Sequence, residues 1–232
     1  MDFALSEQQE MLKKGASEFL AKECTKKLVR EMEKDEKGYP TELWQKMADL
    51  GWMGLVYPEK YGGSGLTFVD FTTLLEEMGK ALVPGPFLST VLCGLAILKW
   101  GTEAQKKDFL PKIAKGDAIL SLALTEKDAT YNAAGIKVKA VADGNDFVIN
   151  GTKLFVTDAH VADYLLCVTR TKAGRNKQEG ITLFLVDAKS PGVTCNLLKT
   201  FTGDKKCEVI FKNVRVPKSN MLGKLDQGWK ML

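Results

Sequence analysis

Few side chains in this 232-residue sequence are equipped for chemistry. There is one histidine, His160, which rules out a His-rich zinc site, and no metal centre is expected. No Ser or Cys stands at a spacing that would make His160 half of a nucleophilic pair, so a surface or hydrogen-bonded structural role is the plainer reading. Five cysteines, Cys24, Cys93, Cys167, Cys195 and Cys207, are an odd number without C-x-x-C spacing. Isolated reduced thiols in a cytosol-like compartment fit that pattern. Tyr61-Gly62-Gly63-Ser64-Gly65-Leu66 offers amides that could cradle a phosphate, but it precedes a helix with no strand in front. A tight structural loop competes with that reading. Glu76 and Glu77 are neighbours on a helix and face different directions, a poor geometry for an acid/base pair. There is no G-x-G-x-x-G after a strand, no Walker loop and no G-x-S-x-G. Pattern alone therefore assigns no reaction.

Those residues must be placed by a globular fold. Apolar residues make up 45% and charged residues 27% of the chain, values of an ordinary folded protein large enough for one or two cored domains. The net charge of +4 is too small and too dispersed for a nucleic-acid protein. The longest largely apolar run, Leu88–Leu98, suits a buried helix and is too short to span a bilayer. The opening Met-Asp-Phe-Ala-Leu-Ser-Glu lacks a basic segment followed by an apolar one, so no signal peptide is expected.

The periodicity changes near Gly116. Before it, spacing is helical. Ser6 and Gln9 form a capping-box pattern. Leu12, Ala16, Phe19/Leu20, Cys24 and Leu28 then read as one stripe on a long helix. Thr41 after Pro40 starts a second helix with Leu43, Met47 and Leu50 inward and Gly51 at its end. Phe71, Leu74, Leu75 and Met78 mark a third, broken by Pro84-Gly85-Pro86. Phe87–Trp100 is apolar on nearly every face and reads as the central helix of a bundle. Thr102 and Gln105 cap another helix, which Pro111 should kink or end. Beyond Gly116 lie eleven of the sixteen valines, and short apolar segments recur: 118–124, 136–142, 147–149, 154–156, 164–169, 181–186, 193–198 and 208–211. Asp143-Gly144-Asn145 and Asn150-Gly151 read as turns, and 170–180 as a polar loop. The prediction is an α+β chain: an N-terminal all-α helical bundle over 1–116, then an antiparallel β-barrel or sandwich over 117–232. Residues 1–116 hold 16 basic and 17 acidic side chains, and the remainder 17 and 12. A mildly basic β half can attract an anionic ligand, or its lysines can simply be solvated.

Three stretches together resemble the flavin-dependent acyl-CoA dehydrogenase family. Leu50-Gly51-Trp52-Met53-Gly54-Leu55-Val56-Tyr57-Pro58-Glu59-Lys60-Tyr61-Gly62-Gly63-Ser64-Gly65-Leu66 is similar to that family's L-G-x-x-G-L-x-x-P-E-x-Y-G-G-x-G-L. Gln105 to Pro111, followed by Leu124-Thr125-Glu126, resembles Q-K-x-x-x-L-P and then L-T-E-P-G-A-G-S-D. Asn150-Gly151-Thr152-Lys153-Leu154-Phe155-Val156-Thr157-Asp158-Ala159 resembles N-G-x-K-x-W/F-I-T-N-A. Segments 180–186, 211–217 and 228–232 look familial too, so the likeness runs in order along the whole chain.

The resemblance implies a helical N-terminal domain, a β-rich middle domain, and a third, helical domain after Gly228-Trp229 that supplies the catalytic glutamate, part of the flavin site and most of the tetramer interface. A chain ending at Leu232 is then a fragment, or works with a separate polypeptide, and no catalytic residue can be named in it. The implied activity is FAD-dependent α,β-desaturation of an acyl-CoA thioester, a β-oxidation type of reaction. A carboxylate takes the α proton and the flavin accepts a hydride from the β carbon. Carried over residue by residue, Leu122–Tyr131 should run beside the flavin ring and pyrophosphate, with Leu122 and Leu124 contributing contacts and the Thr125 hydroxyl a hydrogen bond. Phe155 should cover a ring face, with Val156 beside it and Thr157 near the ring's reactive nitrogen. Tyr131 replaces a serine that touches both flavin phosphate and acyl-CoA. Glu126 is expected to play a structural hydrogen-bonding role. Phe155 and Thr157 also admit plain readings, as a core aromatic and a β-forming residue.

The departures fall in the segment nearest the chemistry. Lys127-Asp128-Ala129-Thr130-Tyr131-Asn132 stands where the family has P-G-A-G-S-D. Asp128 and Thr130 replace glycines whose amides can approach a phosphate closely, and Asp128 adds a negative charge there unless Lys127 offsets it. Flavin binding is expected to be weakened, reshaped or lost on this side. The alternative function is thus a non-catalytic structural subunit with a degenerate flavin site, supporting a complete partner. A third is a hydroxylase or oxidase of the same fold. Ala81–Phe87 resembles heteromeric members acting on bulky or dicarboxylic acyl-CoAs. The partners implied are acyl-CoA, an electron-transfer flavoprotein, and a homo- or hetero-oligomer, without nucleic acid or membrane insertion. The implied location is cytoplasmic, or the mitochondrial matrix in a eukaryote.

Overall fold

In a computed structural model, residues 4–232 are described, so the first three residues of the leader-free reading lie outside it. The helical part comprises α1 (Glu7–Glu23), α2 (Lys26–Lys34), α3 (Thr41–Asp49), α4 (Phe68–Lys80), α5 (Phe87–Trp100) and α6 (Glu103–Ala114). Ser6 and Gln9 close the predicted capping box on α1. The single long stripe through Leu28 is corrected: α1 stops at Glu23. Thr25 caps a new helix by accepting the Leu28 amide at 3.2 Å, because a capping hydroxyl competes with helix continuation. Leu43 and Met47 are buried on α3 as predicted, but Leu50 is exposed, since it lies past the last helical turn. Gly51 then takes φ +75° and turns the chain.

The described chain forms two compact units. One runs to Gly85 and takes in 114–116. Here α1 packs on α4, Phe19 meets Trp52 edge-on at 5.2 Å, and the Trp44 indole donates to Gly116 O at 2.9 Å. The other unit holds 86–113 and 117–232. Within it α5 packs on a strand, not at the centre of a bundle. Thr90 Oγ1 bonds both the amide and the carbonyl of Leu120, while Leu88 and Leu92 stay exposed on the other face. Pro111 does not end α6, which continues to Ala114. At the start of α6, Gln105 accepts the Thr102 amide and donates to Ser219 O and Met221 O, so one capping side chain also fastens a distant loop.

Eight strands make one mostly antiparallel sheet: β1 (Leu120–Ala123), β2 (Lys139–Asp143), β3 (Asp146–Thr157), β4 (Tyr164–Arg170), β5 (Ile181–Asp187), β6 (Val193–Leu198), β7 (Lys206–Pro217) and β8 (Met221–Leu222). The order is β6-β7-β3-β2-β4-β5-β8, with β1 on β4. The sheet is not closed into a barrel, and β1 runs parallel to β4. Asp143 and Asp146 pair across the predicted two-residue turn. Asn150-Gly151 is not a turn. The segments on either side of it are one 12-residue strand, and Gly151 sits at φ +137° where the register slips against β7. The core lies on β4 and β5, where Leu165–Val168 and Leu183–Val186 are all buried. No helix among the described residues is long and apolar enough to cross a membrane.

Candidate functional site

Strand β3 carries most of the candidate residues, and its irregularity positions them. A second register shift against β7 falls between Lys153 and Val156, and inside it Phe155 takes φ +55°. A left-handed conformation is rare for a bulky aromatic. The bulge turns Phe155 outward, leaving it 53% exposed, whereas Val156 is buried. Thr157 is half-buried at the strand's end. Its hydroxyl accepts from Lys206 Nζ at 2.7 Å and its carbonyl accepts from Ser121 Oγ.

The segment after β1 is tied to the same strand. Lys153 is fully buried, and its ammonium donates to Leu124 O at 2.9 Å and Glu126 Oε1 at 2.7 Å. Leu154 donates its amide to Thr125 O at 2.8 Å. Glu126 also accepts the amides of Lys137 and Val138 at 3.0–3.2 Å, which is a structural role of the kind expected of it. Leu124 and Thr125 are therefore pinned beside β3 through their carbonyls, with their side chains half-buried. The sequence reading missed Lys153. Its signal was the alternation Phe147, Ile149, Gly151, Lys153, which puts a lysine on the buried side of a strand and demands a buried carboxylate.

The divergent segment 127–132 is open to solvent. Tyr131 is 80% exposed. Asp128 pairs with Lys137, whose hydrogen bond holds its carboxyl below the usual range. Lys137, not Lys127, is thus the main offset to this charge. Ala129 takes φ +50°, and the amides of Thr130 and Tyr131 meet no acceptor among the described residues. Leu122, on β1, lies apart from this loop. It is partly exposed beside α5 and lines a cavity of about 400 Å³ with Leu92, Trp100, Leu166 and Leu232. Of the predicted residues, the fold brings the backbone of Leu124 and Thr125 beside β3, the strand that carries Phe155, Val156 and Thr157. Leu122 lines a separate cavity and Tyr131 lies in the solvent-open loop.

Beyond Thr157, Asp158 is buried at φ +55°, and burial pushes its carboxyl up to about 6. His160 Nδ1 lies 3.8 Å from Cys207 Sγ, matching the structural role read for it. The neighbouring Cys195 thiol, and then His160, lower the Cys207 thiol. All five cysteines are free. In the glycine-rich loop, the amides of Gly62, Gly63, Ser64, Gly65 and Leu66 are all spent on backbone carbonyls, and a Cβ at Gly63 would collide with Tyr57 O and Gly54 O. The loop is structural and has no backbone amides left to cradle a phosphate. Glu77 is buried and bonded to Lys80, away from any partner for acid/base work.

The chain has known relatives along its whole length. Residues 6–117 match the acyl-CoA dehydrogenase N-terminal domain, and residues 121–214 the middle domain of the same family. The acryloyl-CoA reductase (NADH) of Anaerotignum propionicum is 32% identical over the whole chain, which covers 60% of that protein. An acyl-CoA dehydrogenase from Geobacillus kaustophilus superposes with a TM-score of 0.90 at 29% identity, over 100% of this chain and 62% of the other. The ChsE4-ChsE5 complex of Mycobacterium tuberculosis gives a TM-score of 0.89 at 30% identity, over 100% and 60%. The chain thus spans about 60% of the length of the curated relatives it matches.

Proposed function

Because the chain belongs to the acyl-CoA dehydrogenase family, we propose that it holds FAD on the patch formed by Leu124, Thr125, Phe155, Val156 and Thr157, as part of an assembly that oxidises or reduces an acyl-CoA thioester between its α and β carbons. The observation that carries this reading is Phe155. A bulky aromatic held in a left-handed bulge with half its surface exposed is a strained arrangement that suits a flat ligand stacked against it. A bound flavin would supply the hydride acceptor or donor. The residues of this chain present one aromatic face, one hydroxyl and backbone groups, held rigid by the buried Lys153–Glu126 pair. The uncommitted amides of Thr130 and Tyr131 next to a left-handed Ala129 suit an anionic group such as the flavin pyrophosphate, and Tyr131 is the residue of this loop assigned to acyl-CoA by resemblance. The carboxylate that moves the α proton comes from elsewhere in the assembly, a homo- or hetero-oligomer. An electron-transfer flavoprotein is its redox partner, and the cytoplasm or mitochondrial matrix its setting.

The second reading is a supporting subunit with a degenerate flavin site. Asp128 and Thr130 favour it, because their side chains stand where an anion must approach backbone, and Thr130 packs against Gly135. The test is direct. The native assembly is purified and its visible spectrum recorded before and after denaturation. Flavin released in proportion to this chain, and lost in Phe155→Ala, supports the first reading. A colourless assembly, or flavin bound solely by a partner chain, establishes the second.

A further inference from the structure

Thr157 closes β3 and Lys206 opens β7, and the two are direct register partners. Lys206 Nζ donates to Thr157 Oγ1 at 2.7 Å, and its second neighbour is Asp204 Oδ2 at 3.4 Å. Asp204 is itself held by the Thr200 and Thr202 hydroxyls, the first through its carbonyl and the second through its carboxylate. An ammonium has donors and no acceptor, whereas a hydroxyl has one proton and two lone pairs. One lone pair of Thr157 is therefore committed to Lys206, and its proton cannot point that way. An isolated threonine hydroxyl rotates among staggered positions; this one keeps its proton turned away from Lys206, where it can be donated to a ligand.

We propose that Lys206 is a positioning residue: its ammonium fixes the Thr157 hydroxyl as a donor toward the ring bound there and adds positive charge at the same point. The inference rests on the reading that the flavin lies against Thr157. Donor and charge together favour a ligand that becomes more negative on reduction. Asp158, on the other side of Thr157, opposes this charge once its carboxyl ionises, which burial delays until about pH 6.

The experiment measures flavin spectrum and midpoint potential in the FAD-loaded assembly for Lys206→Met, Lys206→Arg, Thr157→Val and the Lys206→Met/Thr157→Val double variant. Lys206→Met is expected to lower the reduced-to-oxidised ratio of bound flavin at fixed potential about tenfold, about 30 mV for a two-electron couple. Lys206→Arg should keep most of that ratio, which separates lost function from lost folding. On a Thr157→Val background Lys206→Met should lower the ratio clearly less than it does alone, the remainder being the direct effect of its charge. If Thr157→Val alone alters neither spectrum nor potential, the ring is not at Thr157 and the functional reading fails. If Thr157→Val shifts them and Lys206→Met does not, only the present inference falls. Additive shifts in the double variant overturn it too, because Lys206 would then act without the hydroxyl.

Discussion

Lys153 Nζ lies 2.7 Å from Glu126 Oε1, with the lysine side chain wholly out of solvent and the carboxylate nearly so. The pair joins β3 to the loop after β1, two segments that strand pairing alone would leave unconnected. Two charges taken from water are tolerated here because every partner is present: Leu124 O for the ammonium, the Lys137 and Val138 amides for the carboxylate. Removing one member strands the other. Lys153→Met should cost about 3–5 kcal/mol in denaturant unfolding, and Lys153→Met with Glu126→Gln clearly less than the sum of the single changes. Additive losses would show that the two groups act independently.

Phe155 separates stability from binding. Glycine at this position relieves the left-handed strain, worth about 1 kcal/mol, which offsets part of the loss of the half-buried ring. Phe155→Gly should melt only slightly below the parent chain and yet retain far less flavin. Unchanged flavin content would move the ring elsewhere.

Asp158 makes stability depend on pH with an unusual sign. Burial raises its folded pKa from 3.8 to about 6, so between those values the folded state binds more protons than the unfolded chain. Stability from this group is full below about pH 4 and falls as pH rises through 6, by up to about 3 kcal/mol. Asp158→Asn keeps a residue that tolerates φ +55° and removes the titration. Its unfolding free energy should exceed the parent's at pH 7, with the difference closing toward pH 4. Parallel pH curves for the two proteins would refute this.

Asp128 and Thr130 are the positions where family glycines are replaced. Asp128→Gly/Thr130→Gly removes an exposed charge and two side chains from the loop whose amides are uncommitted. Flavin occupancy of the assembly should rise several-fold, read from the ratio of visible to protein absorbance. No change would place the anionic part of the ligand away from this loop.

Gly63→Ala tests the glycine-rich loop as pure structure. The added methyl meets the Tyr57 and Gly54 carbonyls, which are backbone and cannot swing aside. The variant should lose about 1–3 kcal/mol or more of stability. Inorganic phosphate should stabilise neither protein in thermal melts.

What could be read from sequence was local. The capping boxes at Ser6/Gln9 and Thr102/Gln105 and the Asp143–Asp146 hairpin turn depend on side chains within three residues of the backbone they serve, so spacing reveals them. The family motifs likewise pointed to Phe155, Val156 and Thr157 without any geometry. Where local rules competed, reading failed. Thr25 looked like one residue in a helix and acts as a cap. Asn150-Gly151 looked like a turn and is a bulge inside one strand, because pairing with β7 on both sides outweighs the turn propensity of two residues.

The sequence by itself determined the class of most segments, the change from helix to strand near Gly116, and the candidate residues, since these follow from side-chain chemistry and short-range periodicity or from family motifs. Only the tertiary structure decided that α5 lies on β1, that β1 runs parallel to β4, that Lys153 meets Glu126, and that Lys206 reaches Thr157. Each of those depends on segments roughly 25 to 50 residues apart arriving at one place. Burial and pairing over such separations are settled by the whole chain's packing, which no local pattern encodes.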